Sequence, residues 1–476
     1  MPPTSSTSTV LALSEIDSLL AAVASFDGTK ATVRDAAALR GGVIDRLVWT
    51  AVFAKDSSAK DAARSKIRSL AEALCIHPWS IAELYHAMGR GEAGGFTTPA
   101  INIRAITYDT SRAVFRAANA KEVGALIFEI ARSEIGYTEQ RPAEYAAVVL
   151  AAAIKEGWRG PVFLQGDHYQ TNPKKFKEDP EKELAGITGL IDEAIPSGFL
   201  NIDIDTSTLV DLSFPSLDEQ QKSNYTNAAR LTKYIREHEP AGVTISIGGE
   251  IGEVGKSNST PEEFRAYIDG YLKLLPAGME GISKVSIQTG TSHGGVVLPD
   301  GSVAKVSIDF ECLRRISEIA RKEYGISGAV QHGASTLPAE AFHHFPKSGA
   351  SEVHLATEFQ NMVYEHPRFP PELKAEMYEW CRKNCADERK PSDTDDQFLY
   401  KARKKAIGPF KERMWSLPPE VREAIGKALE DKFSFLFDQL AVHGTRAVVD
   451  KYVHPKAVSR ESKGKGGFVR DDEAGE

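Results

Sequence analysis

His168, His293 and His332 each stand just past a short apolar run, beside glycine or another small residue. Carboxylates recur in matching places: Asp167 precedes His168, Asp203 and Asp205 end the next run, and Glu250 ends the one after. Imidazole nitrogens and a carboxylate, converging so that one coordination position stays open, form the donor set of a catalytic zinc ion. Gly166, Gly290, Gly294 and Gly333 flank these positions and would let backbone approach a ligand closely. Taken singly, each residue has a plainer explanation. A histidine after a strand is ordinarily a surface or hydrogen-bonded residue, and Asp203 or Asp205 could cap the following helix. His343 and His344 fall in a helix-to-loop stretch and read as surface residues. Recurrence is what points to a metal site: three imidazoles at the same end of three different runs.

The elements that must carry these residues are legible as eight short runs: AINI (100–103), ALIFEIA (125–131), PVFLQG (161–166), FLNIDID (199–205), VTISIG (243–248), KVSIQTG (284–290), GAVQH (328–332) and EVHLAT (352–357). They lie about 25 to 40 residues apart, enough for one crossover helix each. They are near-continuously apolar, as strands covered on both faces are. Eight such units predict an α/β fold of the TIM (β/α)8 barrel type, whose reactive groups gather at the C-terminal ends of its strands. A doubly wound open sheet is the competitor, but no glycine-rich phosphate turn follows AINI.

Around the barrel (91–365) the pattern predicts a disordered lead (1–9), a helical N-terminal extension (10–90) without chemistry of its own, a helical C-terminal extension (366–458) and a disordered tail (459–476). The polar break ADERKPSDTDD divides the C-terminal extension. Its later part carries Phe410, Met414, Phe433, Phe435 and Phe437, which call for packing on the barrel or on a neighbouring subunit. Homo-oligomerisation is expected, because the extensions exceed what one barrel needs. With 58 Lys+Arg against 66 Asp+Glu, the net charge of −8 argues against a nucleic-acid or anionic-membrane binder. Four cysteines in 476 residues make no disulfide framework and read as buried thiols in a reducing compartment. No signal-like leader or membrane-length apolar stretch is visible, so a soluble, cytoplasmic protein is expected.

In order along the chain, GGFTTPAINI, PVFLQGDHYQ, IDIDTS, GGEIGEVG, GTSHGG and QHGAST resemble the strand ends of the class II, metal-dependent fructose-bisphosphate and tagatose-bisphosphate aldolases. YKARKKAIGPF gives a weaker echo. The resemblance implies a zinc-dependent aldehyde-lyase acting on a ketose (bis)phosphate, with zinc ligands His168, His293 and His332 and Glu250 as an associated carboxylate. A monovalent cation is a further candidate cofactor. It also implies Asp167 as the proton-transferring base and Asp205 as a residue that positions sugar hydroxyls. Asn102, Gly294, Gly333, Ser335, His354 and Thr357 fall at its substrate-binding positions.

The chemistry is consistent with that assignment. Cleaving a ketose between C3 and C4 develops charge on the carbonyl oxygen, which a Lewis-acidic zinc accepts, while a general base takes the C4 hydroxyl proton. Lys256 is the one lysine read at a strand end, which disfavours a Schiff-base route. The chain departs from the family at Ala334, where a second glycine is usual, and at His354 and Ala356, where the eighth strand usually has asparagine and aspartate. The second strand brings Glu129, Arg132 and Ser133, and Arg132 is either a phosphate or carboxylate ligand or a solvated residue. Two other readings share these motifs. One is a zinc-dependent epimerase of a ketose or a sugar acid such as tagaturonate. The other is a non-catalytic accessory subunit of tagatose-bisphosphate aldolase, suggested by GDHYQTN but lacking a reason to keep His293 and His332.

Overall fold

The computed structural model describes residues 9–252, 257–290, 308–334 and 337–456. Its strands are β1 (Ala24–Asp27), β2 (Lys30–Val33), β3 (Ile76–Trp79), β4 (Thr98–Asn102), β5 (Ile127–Ala131), β6 (Gly160–Gln170), β7 (Asn201–Asp205), β8 (Ser246–Glu250), β9 (Lys284–Ile287), β10 (Ala329–Gln331) and β11 (Glu352–Leu355). β4 to β11 are parallel neighbours in chain order, and β11 closes on β4 through Glu352↔Thr98 to Leu355↔Ile101. This is the eight-stranded barrel that the apolar runs predict. Helices follow the strands on the outside and begin at polar caps: Asp179, Ser216 and Asp309 accept from the backbone amides of Lys182, Glu219 and Cys312. Thr260 and Glu263 form a reciprocal capping box.

The N-terminal extension is not purely helical. β1 and β2 form an antiparallel hairpin around Gly28, whose φ of +57° suits a tight two-residue turn. β3 is a ninth parallel strand, paired with the base of β6 from Ile76↔Gly160 to Trp79↔Phe163. β7 joins β6 only from Gln165 onward, and the Asn201 amide stitches the junction by donating to the Trp79 and Leu164 carbonyls and accepting from the Ile81 amide. The C-terminal extension packs back on the barrel, with helix Pro419–Gln439 against helix Thr107–Ala120 and Phe433 against Phe359. No helix among the described residues is long and apolar enough to cross a membrane.

β6 carries the deformation that matters. Gln165↔Asn201 and Gly166↔Ile202 are followed by Tyr169↔Ile204, so β6 holds one residue more than β7 between the paired positions. The bulge contains Asp167 and His168, and His168 takes the left-handed conformation at φ +41°. Bulges bend a strand and re-aim its side chains. Here two consecutive residues both turn toward the barrel mouth.

Candidate active site at the mouth of the barrel

His168, on the bulge, lies with its Nδ1 3.1 Å from Asp205 Oδ2 and 3.4 Å from Glu250 Oε2, bringing the ends of β6, β7 and β8 together. Its ring centroid is 4.1 Å from that of His332, which follows β10. His332 Nε2 is 2.7 Å from Ser286 Oγ on β9, and Gly333 beside it adopts φ +66°. Donor atoms of Asp167, His168 and His332 lie within 4.8 Å of one another, as do those of His168, Asp205 and Glu250. His293, Gly294, Ser335 and Lys256 lie outside the described residues.

The electrostatics suit a cation. Burial alone would lower the His168 imidazole, but Asp167, Glu250 and Asp205 outweigh it and raise its pKa well above the ordinary range. Burial and the neighbouring Asp205 push the Glu250 carboxyl up to about 8, which favours its neutral form, and a bound cation would favour the charged one. Imidazole and carboxylate donors together fit zinc.

Asp167 is buried between two donors. Asn102 Nδ2 stands 2.9 Å from its Oδ2, and His354 Nδ1 stands 3.2 Å from its Oδ1. Burial would raise this carboxyl, yet His168 and His354 hold it well below the usual carboxylate range. It is therefore an ionised acceptor at the site. Asn102 also donates to Glu134, which accepts from Arg104, and the Arg104 guanidinium reaches the Thr357 hydroxyl at 3.4 Å.

Several expected positions differ from their expected roles. Both Asp205 oxygens are taken up by the chain's own groups: His168 and Gln170 on Oδ2, the Ser207 amide and hydroxyl on Oδ1. It orients His168 and caps the turn after β7. His354, expected to bind substrate, is buried in contact with Asp167, Glu129 and Glu352. Arg132 is not solvated: it is 8% exposed and donates to Glu183 at 2.7 Å and to the Gln170 carbonyl.

Sequence reasoning named Glu129 and Asp203 at strand ends but missed the array they form beneath the mouth. Glu129, Gln165, Asp203, Lys284 and Glu352 all point into the barrel, and all are buried. Lys284 Nζ stands 2.7 Å from Gln165 Oε1 and 3.0 Å from Asp203 Oδ1, and it pairs with Glu352. Glu352 also accepts from Tyr85, Gln165 and His354. Burial would lower the Lys284 ammonium, but Asp203 and Glu352 raise it. A lysine held as its ammonium ion is a poor Schiff-base nucleophile. Gly248 makes room for this pair, because a Cβ there would overlap Asp203 Oδ1 and meet Lys284 Cε at 3.0 Å.

The model of the family described as fructose-bisphosphate aldolase class-II matches residues 83–437. No curated protein matches the sequence. Among solved structures, a protein described as a tagatose 6-phosphate kinase from Sinorhizobium meliloti shares 16% identity at a TM-score of 0.52, covering 75% of this chain and 99% of that one. The fructuronate-tagaturonate epimerase of Cohnella laeviribosi, with glycerol bound, shares 13% identity at 0.52, covering 79% and 86%. A fructose-bisphosphate aldolase from Campylobacter jejuni shares 20% identity at 0.46, covering 77% and 96%. The two likenesses at 0.52 speak to the barrel. The family match, which takes in every barrel strand and most of the C-terminal extension, shows that the chain belongs to the class II fructose-bisphosphate aldolase family.

Proposed function

We propose that this chain is a zinc-dependent aldehyde-lyase that reversibly cleaves a ketose (bis)phosphate, such as fructose or tagatose 1,6-bisphosphate, to dihydroxyacetone phosphate and an aldehyde. The observation that carries the reading is that His168 gathers His332 and an ionised Asp167 in one donor cluster, and Asp205 and Glu250 in another, at one end of the barrel. His168, His332 and Glu250, with His293, would hold the zinc, which supplies Lewis acidity for the substrate carbonyl. Asp167 accepts the proton of the C4 hydroxyl as the C3–C4 bond breaks and returns it in the condensation direction. Asp205 and Ser286 fix the rings of His168 and His332, the outer support that a ligating imidazole needs.

Metal analysis paired with product detection over a panel of ketose phosphates and sugar acids tests this. The expected result is bound zinc, loss of cleavage on chelation, recovery on zinc addition, and a triose phosphate product. Isomer interconversion without an aldehyde would overturn the lyase in favour of an epimerase. A protein that takes up no divalent metal would overturn both.

A further inference from the structure

We infer that His354 is a positioning residue for Asp167, holding the general base by a strut that runs across the barrel interior to Lys284. The inference rests on the role proposed for Asp167. β11 places Glu352 and His354 two residues apart, hence on the same inward face of the strand. The imidazole is anchored at both nitrogens. Nδ1 faces Asp167 Oδ1 and Glu129 Oε1, each at 3.2 Å, and Nε2 meets Glu352 Oε1 at 2.6 Å. Its ring also lies against His332, with centroids 4.0 Å apart, which limits how far it can swing.

Glu352 is itself immobilised by Lys284, Gln165 and Tyr85. At the other end Asp167 meets a second donor, Asn102, on its opposite oxygen, and Asn102 is tethered to Glu134. Donors on both oxygens stop the carboxylate from turning about its Cβ–Cγ bond. A proton acceptor fixed in this way needs no reorganisation when substrate arrives, and loose placement of a reacting group is expensive in rate. A shorter asparagine at 354 could not span Asp167 and Glu352 together.

The same cluster offers Glu129, Asp203, Glu352 and His354 within 4.8 Å, a set that could hold an ion. Lys284, 3.0 Å from Asp203 and paired with Glu352, already supplies the positive charge there. The array is therefore a support.

The test is a double-mutant cycle of His354→Gln and Asp167→Asn, read by cleavage kinetics, zinc content and the crystal structure of each variant. His354→Gln is expected to lower kcat about 10- to 100-fold with KM nearly unchanged, to keep its zinc, and to show Asp167 in a second rotamer. In the Asp167→Asn background the same change should cost no more than about twofold, because the strut then has nothing to position. Equal losses in both backgrounds, unchanged kcat, or a rise in KM alone would overturn the inference. If the wild-type chain cleaves no ketose phosphate, the proposed function fails by itself. The inference is then decided by the Asp167 rotamer in the His354→Gln crystal, and an unmoved carboxylate sinks it. Should His354→Gln not fold, Glu352→Met removes the acceptor of the ring's far nitrogen while keeping the ring, and it must give the same kcat loss and rotamer change.

Discussion

Replacing Lys284 with methionine keeps most of the side-chain volume and removes the only ammonium from the described interior array. Lys284 is 1% exposed, so water cannot screen what is left behind. Burial by itself would raise the Glu352 carboxyl; Lys284 and then His354 reverse this and bring it down to about 2 from an ordinary 4.5. That lowering corresponds to about 3 kcal/mol of folding stability. It agrees with the about 3–5 kcal/mol typical of removing one partner from a buried ion pair. Glu352 is depressed in the fold, so its contribution is complete above about pH 4.5 and is lost as pH falls through about 2. Urea unfolding of wild type and Lys284→Met, at equal protein and metal concentration, should show a gap of about 3 kcal/mol or more at pH 7, shrinking to about half at pH 3. Adding Glu352→Gln to Lys284→Met should recover part of the loss, because it deletes the stranded charge. A gap under about 1 kcal/mol at pH 7, or one that ignores pH, would refute the claim that Lys284 neutralises the barrel interior.

Arg132→Ala removes a guanidinium that is 8% exposed and bonded to Glu183 and the Gln170 carbonyl, so it should cost about 3 kcal/mol in urea unfolding and leave KM unchanged. A large KM increase with intact stability would restore an anion-binding role. Gly248→Ala drives a methyl into Asp203 and Lys284 and should destabilise by about 1–3 kcal/mol. An equally stable variant would mean that the array has slack.

The barrel was legible because each strand is a short apolar run bounded by glycine or polar residues, and all eight runs coincide with β4 to β11. The mouth was legible for the same reason: once strand ends are known, Asp167, His168, Glu250 and His332 fall at one end. The bulge was not. The sequence reading ends that run at Gly166, and the extra residue exists only relative to β7, whose register no local pattern encodes. The interior array was half visible, since Glu129, Gln165, Asp203, Lys284 and Glu352 each interrupt an otherwise apolar run. Their opposite charges sit on strands far apart in sequence, and only barrel closure makes them partners. The β1–β2 hairpin carried a local signal in Asp27-Gly28 that helical periodicity on either side obscured.

A charged interior changes where this barrel must find its apolar burial. Barrels of this kind ordinarily fill their centre with layers of branched aliphatic side chains. Here that space holds carboxylates, an amide, an ammonium and an imidazole, which at best offset their own desolvation. The apolar contribution therefore moves outward, to the layer between strands and helices. Phe128 lies next to inward-facing Glu129 on β5 and packs on Phe115, which in turn meets Trp158, with centroids 4.8 and 5.2 Å apart. The extensions continue that layer. Trp415 from the C-terminal part packs against Trp49 and Phe53 from the N-terminal part and stacks on Tyr108 of the barrel helix between them. The Tyr108 hydroxyl donates to Asp45, which Lys155 also engages, and Lys411 of the C-terminal part pairs with Glu144, so both extensions are tied to the same pair of barrel helices. Trp415, Trp49 and Phe53 are thus part of what holds a polar-cored barrel closed around its mouth.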